Sequence, residues 1–555
     1  MATESQIPAG SKPAPPPTRA GAAAALVGAG ILLSRVAGLV REMVLAVYFG
    51  SGLQADVWSA GLRLPNVLQN LLGEGTLSAS FIPAYSALLG QGRTQEAGRV
   101  AGAMFALLLA IAGVVALFGV LFAPVLVAVF TPGFSGARRE LAIAVVRIVF
   151  PMTGVLVLSA WALGVLNSHR HFFLPYFAPV LWNAAIIGTL IAFGSRLDLD
   201  GLLLAAAWGA LAGGVLQFLV QLPAVRRLDR EIRLNTGRDE PAFRDAVRKA
   251  GPAIMGRGVV QLSSYVDLLL GSLLAIGALA RLRYAQTLYL LPVSLFGMSV
   301  AAAELPDLAR DRDVSAAAVR ERTVRAVRRV AFFIVPSVAA FVLLGDVVVA
   351  GLYRGGRFGA ADVTVVWLTL MAYSAGLLAS TCTRVYQSTF FALRDTVTPA
   401  RVAGLRVLVA FVVGGALMVQ FEPVNVLGWQ LPAGVFGGVG VAGQPLGLLG
   451  LAAGATLGAW LEWLLLRREL KSRLGPVDAG LGFLARAAAA AVGGAIVGRV
   501  IAAVAPLPPL ATALLAAAGF GATYLFAARG LGLAEGNAAL AAVKRRFGRG
   551  RPSAQ

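Results

Sequence analysis

Charge, cysteine and histidine are all scarce in this chain. Only 14% of its 555 residues are Asp, Glu, Lys or Arg, and it contains one cysteine and two histidines. The single cysteine, Cys382, excludes an intramolecular disulfide and a thiolate metal cluster. His169 and His171 have no carboxylate or thiol arranged around them in the sequence. We therefore expect no metal site and no cofactor.

Motifs for nucleotide binding and catalysis are also missing. The sequence contains no GxxxxGK[ST] phosphate-binding motif, which argues against transport powered by ATP hydrolysis in this chain. No other enzymatic motif is recognisable. We therefore predict that the protein is not an enzyme.

Apolar residues are abundant instead. They make up 58% of the chain, and the mean hydropathy of +0.77 lies outside the range of soluble proteins. Apolar blocks of about 20 residues, the length that crosses a bilayer as a helix, fill most of the sequence and are longer than barrel strands. The sequence therefore predicts an all-α integral membrane protein with about 14 transmembrane helices. These crossings are expected to begin near Ala22, Asp56, Val100, Glu140, Phe172, Leu202, Ala246, Leu282, Val330, Asp362, Val402, Val439, Phe483 and Leu510.

The basic residues alternate with the predicted crossings. The formal net charge of +21 is by itself also typical of nucleic-acid-binding proteins. Dense basic runs, however, follow the even-numbered crossings, and the positive-inside rule places these loops and both termini in the cytoplasm. We therefore expect contacts with anionic membrane lipids and no nucleic-acid partner. The loops after odd-numbered crossings hold only Arg138, Arg139, Arg196, Arg281, Arg283, Arg354 and Arg357.

A faint internal repeat divides the chain. Three residue pairs share one sequence separation: Gly50 with Gly277, Pro65 with Pro292, and Phe105 with Phe332. This offset maps the first crossing onto the seventh, as expected for two six-helix lobes related by an axis along the membrane normal. The first apolar block is expected to remain as a crossing and not to be cleaved as a signal peptide. The expected domains are a disordered cytoplasmic tail (1–21), an N-lobe (22–223), a basic cytoplasmic loop (224–245), a C-lobe (246–466), two C-terminal crossings (483–529) and a basic cytoplasmic tail (530–555).

The stretch between Ser34 and Glu74 carries charges inside an apolar context. A lipid-facing helix does not retain such charges, so they are expected to face a wet cavity or a ligand. The repeated arginines favour an anionic ligand, because a guanidinium binds phosphate or carboxylate through two parallel hydrogen bonds. The charged residues are Arg35, Arg41, Glu42, Asp56, Arg63 and Glu74.

Several segments of this chain resemble the MviN/MurJ family of lipid II flippases, within the multidrug/oligosaccharidyl-lipid/polysaccharide exporter superfamily. The resemblance rests on SRVAGLVRE, FGSGLQAD and LRLPNVLQNLLGEGTLSASFIPAY, with support from APVLWNAAIIG, GGVLQFLVQLP and GPAIMG. It implies two six-helix lobes and two extra helices around a cationic cavity. It also implies alternating access that carries a lipid-linked disaccharide-peptide from the inner to the outer leaflet of the bacterial cytoplasmic (inner) membrane, with a role in cell-wall biogenesis and cell shape, and cell-wall synthesis proteins as candidate partners.

The resemblance carries over to individual residues only in part. Arg35, Arg41 and Arg63 match cationic positions of the family and are candidate substrate-binding residues, whereas Asp56, Asn66 and Glu74 are candidate gate residues. The plain alternatives are that the arginines form structural ion pairs with Glu42 or Asp56, that the acids cap helices, and that Asn66 satisfies backbone freed by Pro65. Arg35 and Arg41 are six residues apart, so they point in different directions unless the helix bends at Gly38.

The eighth crossing departs from the family pattern. Gln286, Thr287 and Leu290 stand where the family commonly has an Asp-Arg pair and a Glu. We hypothesise that Arg257, between Gly256 and Gly258 in the seventh crossing, supplies the missing cation. In the same crossing, Asp267 is a candidate for binding a coupling cation.

Three other functions compete with the flippase prediction. A multidrug cation antiporter would need acidic cavity residues, which are not the dominant charges here. A non-transporting cell-wall scaffold remains as an alternative, because it is compatible with the missing charged residues of the eighth crossing. A flippase for another polyprenyl-diphosphate glycan also remains, because arginines would bind the diphosphate and not the sugar. The sequence therefore favours lipid II transport.

Overall fold

The computed structural model describes residues 17–72, 74–237, 239–294, 315–426 and 429–537, with side chains for all of these except 17–26, 67–75, 79, 252–264 and 426. These residues are almost entirely helical. The helices of the N-terminal half are α1 Pro17–Phe49, α2 Leu53–Leu72, α3 Glu74–Gly90, α4 Thr94–Leu121, α5 Ala123–Phe130, α6 Gly136–Ser168, α7 Phe173–Phe193, α8 Leu199–Leu219 and α9 Leu222–Leu228. The helices of the C-terminal half are α10 Pro241–Ser272, α11 Ala278–Pro292, α12 Ala316–Leu343, α13 Gly345–Tyr353, α14 Ala360–Ser374, α15 Leu377–Ala392, α16 Val397–Phe421, α17 Gly447–Leu474, α18 Leu481–Val504 and α19 Pro509–Gly530.

The predicted all-α membrane fold is confirmed. Within the described ranges, nine helical stretches are long and apolar enough to cross a bilayer, or ten if α14 and α15, bent by 42° at a short break, form one span. The helices α1, α2, α10 and α11 are not among them. These four helices contain charged residues within apolar sequence, and each contributes to the wall of the site described below.

The first helix is continuous, and the second contains a proline. Helix α1 runs through Gly38 without a break and begins at Pro17, inside the range 1–21 expected as a tail. It ends at Phe49, and Gly50, with a φ of +57°, turns the chain into α2. Helix α2 contains Pro65, which cannot donate the helical hydrogen bond, and α3 begins at Glu74, after Gly73, which lies outside the described residues.

The two halves of the chain share a sequence of elements. Helices α4 and α12 both have 28 residues, and each is followed by a short helix, α5 with 8 residues and α13 with 9. Phe105 lies in α4 and Phe332 in α12, as the repeat in the sequence predicts. The element order therefore agrees with a parallel repeat.

The twelfth predicted crossing starts later than expected. The sequence places its start near Val439, but α17 begins at Gly447. The intervening segment forms two small antiparallel hairpins, β1 (Val424–Val426) with β2 (Trp429–Leu431), and β3 (Gly440–Val441) with β4 (Gln444–Pro445). This segment is apolar enough to be mistaken for part of a span, but its glycines and prolines favour turns.

Candidate functional site

A cavity of about 390 Å³ lies between the two halves of the chain, and we call it the central cavity. Helices α1, α2, α6, α7 and α8 of the N-terminal half and α10 and α11 of the C-terminal half contribute to its wall. Among the residues that the structure describes, three of those lining it are arginines and none is acidic. Its lining residues are Arg41, Ser59, Leu62, Arg63, Asn66, Met152, Leu156, Pro179, Trp182, Gln217, Leu268, Leu279 and Arg283.

Arg41 is held from three sides. Its Nη1 donates to Asn183 Oδ1 at 2.9 Å, and its Nη2 donates to Glu42 Oε1 at 2.6 Å. The guanidinium also lies 4.7 Å from the centre of the Trp182 ring, a cation–π distance. Trp182 and Asn183 are adjacent in α7, so one turn of that helix fixes the direction in which Arg41 points.

Glu42 joins arginines from both halves of the chain. Its Oε1 accepts from Arg41 and, at 2.7 Å, from Arg283 Nη2 of α11. The Glu42 side chain is 3% exposed, and its Oε2 has no hydrogen-bond partner among the described residues. One buried carboxylate is thus shared between two guanidinium groups. The two guanidinium groups and the one carboxylate together carry a net positive charge, which faces the central cavity.

The Arg63 side chain is hydrogen-bonded to the C-terminal half through the side-chain amide of Gln286. Its Nη2 donates to Gln286 Oε1 at 2.5 Å, and Gln286 Nε2 donates to Asp267 Oδ2 at 2.7 Å and to the Tyr373 hydroxyl at 3.0 Å. Gln286 therefore links the Arg63 cation to the Asp267 carboxylate without direct contact between them. Among the described residues, Gln286 is the one that accepts a hydrogen bond from the Arg63 guanidinium.

A second cavity, of about 240 Å³, adjoins the central cavity at Arg63, which lines both. Its wall comes mainly from α10, α11, α14, α16 and α17. It contains cations and one carboxylate, and we call it the C-terminal cavity. Its polar lining residues are Arg63, Asp267, Gln286, Tyr289, Tyr373, Arg406 and Thr456.

Beyond the central cavity, the turn between α1 and α2 meets the start of α11, and we call this contact region the sealed end (Ser51, Asp56, Gly277, Arg281 and Asp362). Asp56 is fully buried and accepts from Arg138 Nη2 at 2.6 Å, from Gly277 N at 2.6 Å and from Ala280 N at 2.8 Å. Two of these donors are backbone groups at the first turn of α11, where a carboxylate is favoured by the unpaired N–H groups and the helix dipole. Asp56 therefore fastens one half of the chain to the other.

A second network lies beside Asp56 at the sealed end. Arg281 Nε donates to Ser51 Oγ at 3.1 Å and to Asp362 Oδ1 at 3.3 Å, and the Ser51 hydroxyl donates to the same carboxylate. The Tyr284 hydroxyl donates to the Gly50 carbonyl at 2.9 Å. These bonds again connect the α1–α2 turn with α11 and α14, so the cavity is closed at this end.

The predicted site residues fall into two groups. Arg41, Arg63 and Asn66 line the central cavity, and Asp56 lies in the sealed end, so the gate roles of Asp56 and Asn66 stay predictions. Arg35 is exposed and lines none of the cavities described here. Because α1 is unbent at Gly38, Arg35 and Arg41 face different directions, as their spacing predicts.

Two predictions fall on side chains outside the described residues, Glu74 and Arg257. Asp267 lies in the C-terminal cavity, where its bonded neighbour is Gln286. In the part of the chain that the structure describes, no three His, Cys, Asp or Glu side chains lie together as a metal-binding group. The prediction that Asp267 binds a coupling cation therefore stays a prediction.

Arg283 is the cavity residue that sequence reasoning missed. Counted from the sequence as a loop residue, it lies within α11, one turn before Thr287, whose hydroxyl donates to the Arg283 carbonyl at 2.9 Å. Arg283 lies four residues before Thr287, on the same face of the helix. It therefore supplies a cation one turn away from the position at which the family pattern has an arginine. The sequence signal was available, since Arg283 follows Arg281 closely in an otherwise apolar stretch.

Arg138 was also counted as a loop residue. It lies in the first turn of α6 with 7% of its side chain exposed, paired with Asp56. A charge count cannot separate a buried ion pair at a helix end from a solvated loop, because both give the same sequence pattern.

Two apolar grooves of about 380 and 270 Å³ lie beside α18. They share Leu378 and Trp460 and are bounded by α12, α15, α17 and α18. Their walls are predominantly apolar, and Arg467 and Asp478, joined at 2.8 Å, lie at one end. The grooves offer an apolar surface next to a polar boundary.

Comparison with known proteins identifies relatives over most of the chain. A family model described as lipid II flippase MurJ matches residues 45–520. The lipid II flippase MurJ of Burkholderia cenocepacia is 32% identical over 379 residues, which are 67% of this chain and 73% of that protein. A probable lipid II flippase MurJ of Rhizobium tropici is 32% identical over 412 residues, 72% of this chain and 75% of that protein.

Solved structures show the same fold. A lipid II flippase MurJ in an inward closed conformation superposes with a TM-score of 0.72 at 20% identity, covering 91% of this chain and 98% of that chain. An inward-facing multidrug resistance MATE family transporter of the MOP superfamily superposes with a TM-score of 0.60 at 17% identity, covering 80% and 94% of the two chains. At these identities the likeness concerns the fold.

Proposed function

The chain belongs to the MurJ family, and on this premise we propose that it moves lipid II, the undecaprenyl-diphosphate disaccharide-peptide precursor of peptidoglycan, from the inner to the outer leaflet by alternating access. The observation that carries the proposal is the central cavity, where Arg41, Arg63 and Arg283 come from both halves of the chain and no acid is among the described lining residues. A multidrug cation would be repelled by this lining. A diphosphate would be attracted to it.

The electrostatics of the cavity suit a ligand with two phosphates. A guanidinium binds a phosphate through two parallel hydrogen bonds, and such bonds are stronger in a site of reduced dielectric. Glu42 holds Arg41 and Arg283 in place before the substrate arrives. The substrate then takes over part of the role of Glu42 and connects the two halves of the chain through its own charge.

The lipid tail needs a different surface from the head group. The prenyl chain stays in lipid or in the apolar grooves beside α18, whose wall residues include Val335, Leu378, Trp460 and Val492. Only the polar head then has to cross the bilayer core, where an unsolvated diphosphate is most costly. No covalent step is required of the protein, so we infer a transporter that is not an enzyme.

The topology that fits this role places the even-numbered loops and both termini in the cytoplasm of a bacterial inner membrane, following the dense basic runs. The sealed end then faces the outer side, and the head group enters from the inner leaflet between α1 and α11. We assign residues 22–223 and 246–466 to the two lobes that rock about the cavity, and 483–529 to two accessory crossings. The basic segments 224–245 and 530–555 lie at the cytoplasmic surface.

The proposal is tested by replacing Arg283 in protein reconstituted into vesicles. Arg283→Ala should weaken lipid II binding and slow its transport about tenfold or more, because a charge-assisted hydrogen bond contributes about 1.5–3 kcal/mol and about 1.4 kcal/mol is a factor of ten. Arg354→Ala, at an exposed arginine, is the matched control and should leave both unchanged. Transport at the wild-type rate in Arg283→Ala, or accumulation of a different lipid-linked glycan when the protein is depleted, contradicts the proposal.

A further inference from the structure

One face of α15 is polar in the middle of the C-terminal half. Ser380, Arg384 and Gln387 lie on this face, three or four residues apart. The hydroxyl groups of Ser380 and Tyr289 are 2.7 Å apart, and Gln387 Nε2 donates to Glu462 Oε1 at 3.0 Å. Arg384 is thus bracketed by a contact to α11 on one side and a contact to α17 on the other.

Among the described residues, Arg384 has no counter-ion of its own. Glu462, which Gln387 of the same face contacts, is 1% exposed and already accepts from Gln387 through Oε1 and from Arg406 Nη1 through Oε2, at 2.8 Å. Arg384 itself is exposed, and among the described residues no hydrogen bond or ion pair holds its guanidinium. It lies eight residues before the end of α15, about 12 Å along the helix. A charge at such a depth is expected to face a water-filled space or a ligand.

Among the described side chains, the charges of the adjoining C-terminal cavity are paired with one another. Asp267 is linked to Arg63 through Gln286, and Arg406 is paired with Glu462. Tyr289, bonded to Ser380, and Arg406, bonded to the same Glu462 as Gln387, line this cavity, whereas Arg384 lies on the α15 face between these contacts and is not a lining residue. Among the described residues, the unpaired positive charge next to the cavity is therefore that of Arg384. A ligand that fits here is an anion, held near a phenol hydroxyl and a half-exposed second guanidinium.

The C-terminal cavity is also an extension of the central cavity. Arg63 lines both, so one elongated ligand can reach from Arg41 and Arg283 past Arg63 toward Arg384. In lipid II the diphosphate is followed by the disaccharide and then by a peptide, whose carboxylates are the remaining anionic groups. The peptide carboxylates are therefore the anionic groups of the substrate that remain for a cation beyond Arg63.

We propose that Arg384, with Arg406 and Tyr289, binds a carboxylate of the peptide portion of the lipid-linked precursor. This inference rests on the proposed function and adds a second recognition site to it. A guanidinium matches a carboxylate in shape and charge. The central cavity binds the diphosphate, which all polyprenyl-diphosphate glycans share. Arg384 binds the peptide, which is present in lipid II and absent from peptide-free glycans.

The test compares three ligands with full-length protein in lipid nanodiscs. They are lipid II with free peptide carboxylates, lipid II with these carboxylates converted to amides, and undecaprenyl diphosphate without sugar or peptide. Arg384→Gln should weaken binding of the first ligand about tenfold and leave the other two unchanged. Arg384→Lys keeps the charge and should retain most of the binding. Arg325→Gln, at an exposed arginine, is the control for general loss of charge and should have no effect.

The outcomes separate this inference from the proposed function. Equal weakening of all three ligands in Arg384→Gln that unfolds at the wild-type temperature would mean that Arg384 binds the diphosphate or a lipid head group, and it overturns the inference. Unchanged binding of the first ligand overturns it as well. Binding of undecaprenyl diphosphate also reports on folding, because a misfolded variant loses that ligand too. If Arg384→Gln misfolds, the test is made with Arg384→Lys, which should bind lipid II with free carboxylates more tightly than lipid II with amidated carboxylates. Failure of the wild-type protein to bind any of the three ligands overturns the proposed function itself.

Discussion

Among single residues, Glu42 determines how the cationic site is held together before a ligand arrives. A buried carboxylate between two guanidinium groups compensates part of their mutual repulsion, and each group also loses hydration. The Arg41 and Arg63 contributions could be predicted from the sequence, because arginines in an apolar context are expected to face a cavity. The partnership of Glu42 with Arg283 could not, since it depends on how α1 and α11 pack.

Removal of the Glu42 charge should affect stability and ligand response in opposite directions. Glu42→Gln leaves Arg41 and Arg283 close together without a carboxylate, and breaking a buried pair in this way costs about 3–5 kcal/mol. We expect a lower unfolding temperature without ligand and a larger upward shift when a diphosphate lipid is added, because the ligand then replaces the missing charge.

Thermal unfolding in detergent, followed with and without undecaprenyl diphosphate, measures both effects. Glu321→Gln is the control, since that glutamate is 71% exposed and its pair with Arg325 has little effect on stability. Equal unfolding temperatures for Glu42→Gln and wild type would show that the bridge does not stabilise the site.

At the scale of elements, the start of α11 forms the receiving half of the sealed end. Gly277 has a φ of +95°, a left-handed conformation that turns the chain from α10 into α11 and presents its N–H to Asp56. A Cβ atom at this position would lie 2.2 Å from the Ser51 carbonyl oxygen. The sequence repeat pairs Gly277 with Gly50, but it does not predict that the two turns meet.

Gly277→Ala should prevent the sealed end from closing fully. The new methyl group would collide with backbone of the α1–α2 turn, and alanine disfavours the required φ. We expect that a cysteine placed at Ser59 in the central cavity reacts faster with a membrane-impermeant thiol reagent in this variant than in the parent. Cys382→Ala provides the cysteine-free background.

Gly113→Ala serves as the control for this experiment, because a Cβ there meets nothing within 4 Å. A labelling rate at Ser59→Cys that is the same in Gly277→Ala as in the parent would mean that the glycine contact does not govern closure.

Other elements limit what sequence patterns reveal. The hairpins before α17 lie in an uncharged stretch from 423 to 446, and hydropathy cannot tell such a stretch from the start of a crossing. Helix α6, by contrast, could be predicted from its apolar length alone. Apolar composition is enough to predict helices that face lipid. The positions of turns and of buried helix ends cannot be predicted in this way, because they depend on contacts with residues elsewhere in the chain.

For the molecule as a whole, the sealed end is the contact that alternating access has to break. Ser51 and Asp362 belong to opposite halves and are hydrogen-bonded through their side chains. Cysteines at both positions, in a Cys382→Ala background, should form a disulfide under oxidising conditions and stop transport. A reducing agent should restore it. The single-cysteine variants, treated with the same oxidant, are the controls, and undiminished transport by the oxidised double variant would contradict movement at this end.

The two C-terminal-half donors that hold Asp56, at Gly277 and Ala280, are main-chain amides. Every residue type except proline supplies such a hydrogen, so most substitutions at Ala280 keep that donor in place, whereas Gly277 is restricted by its φ of +95° and by the closeness of the Ser51 carbonyl oxygen. Mutation can therefore weaken this contact through Asp56 or Gly277 more readily than through Ala280.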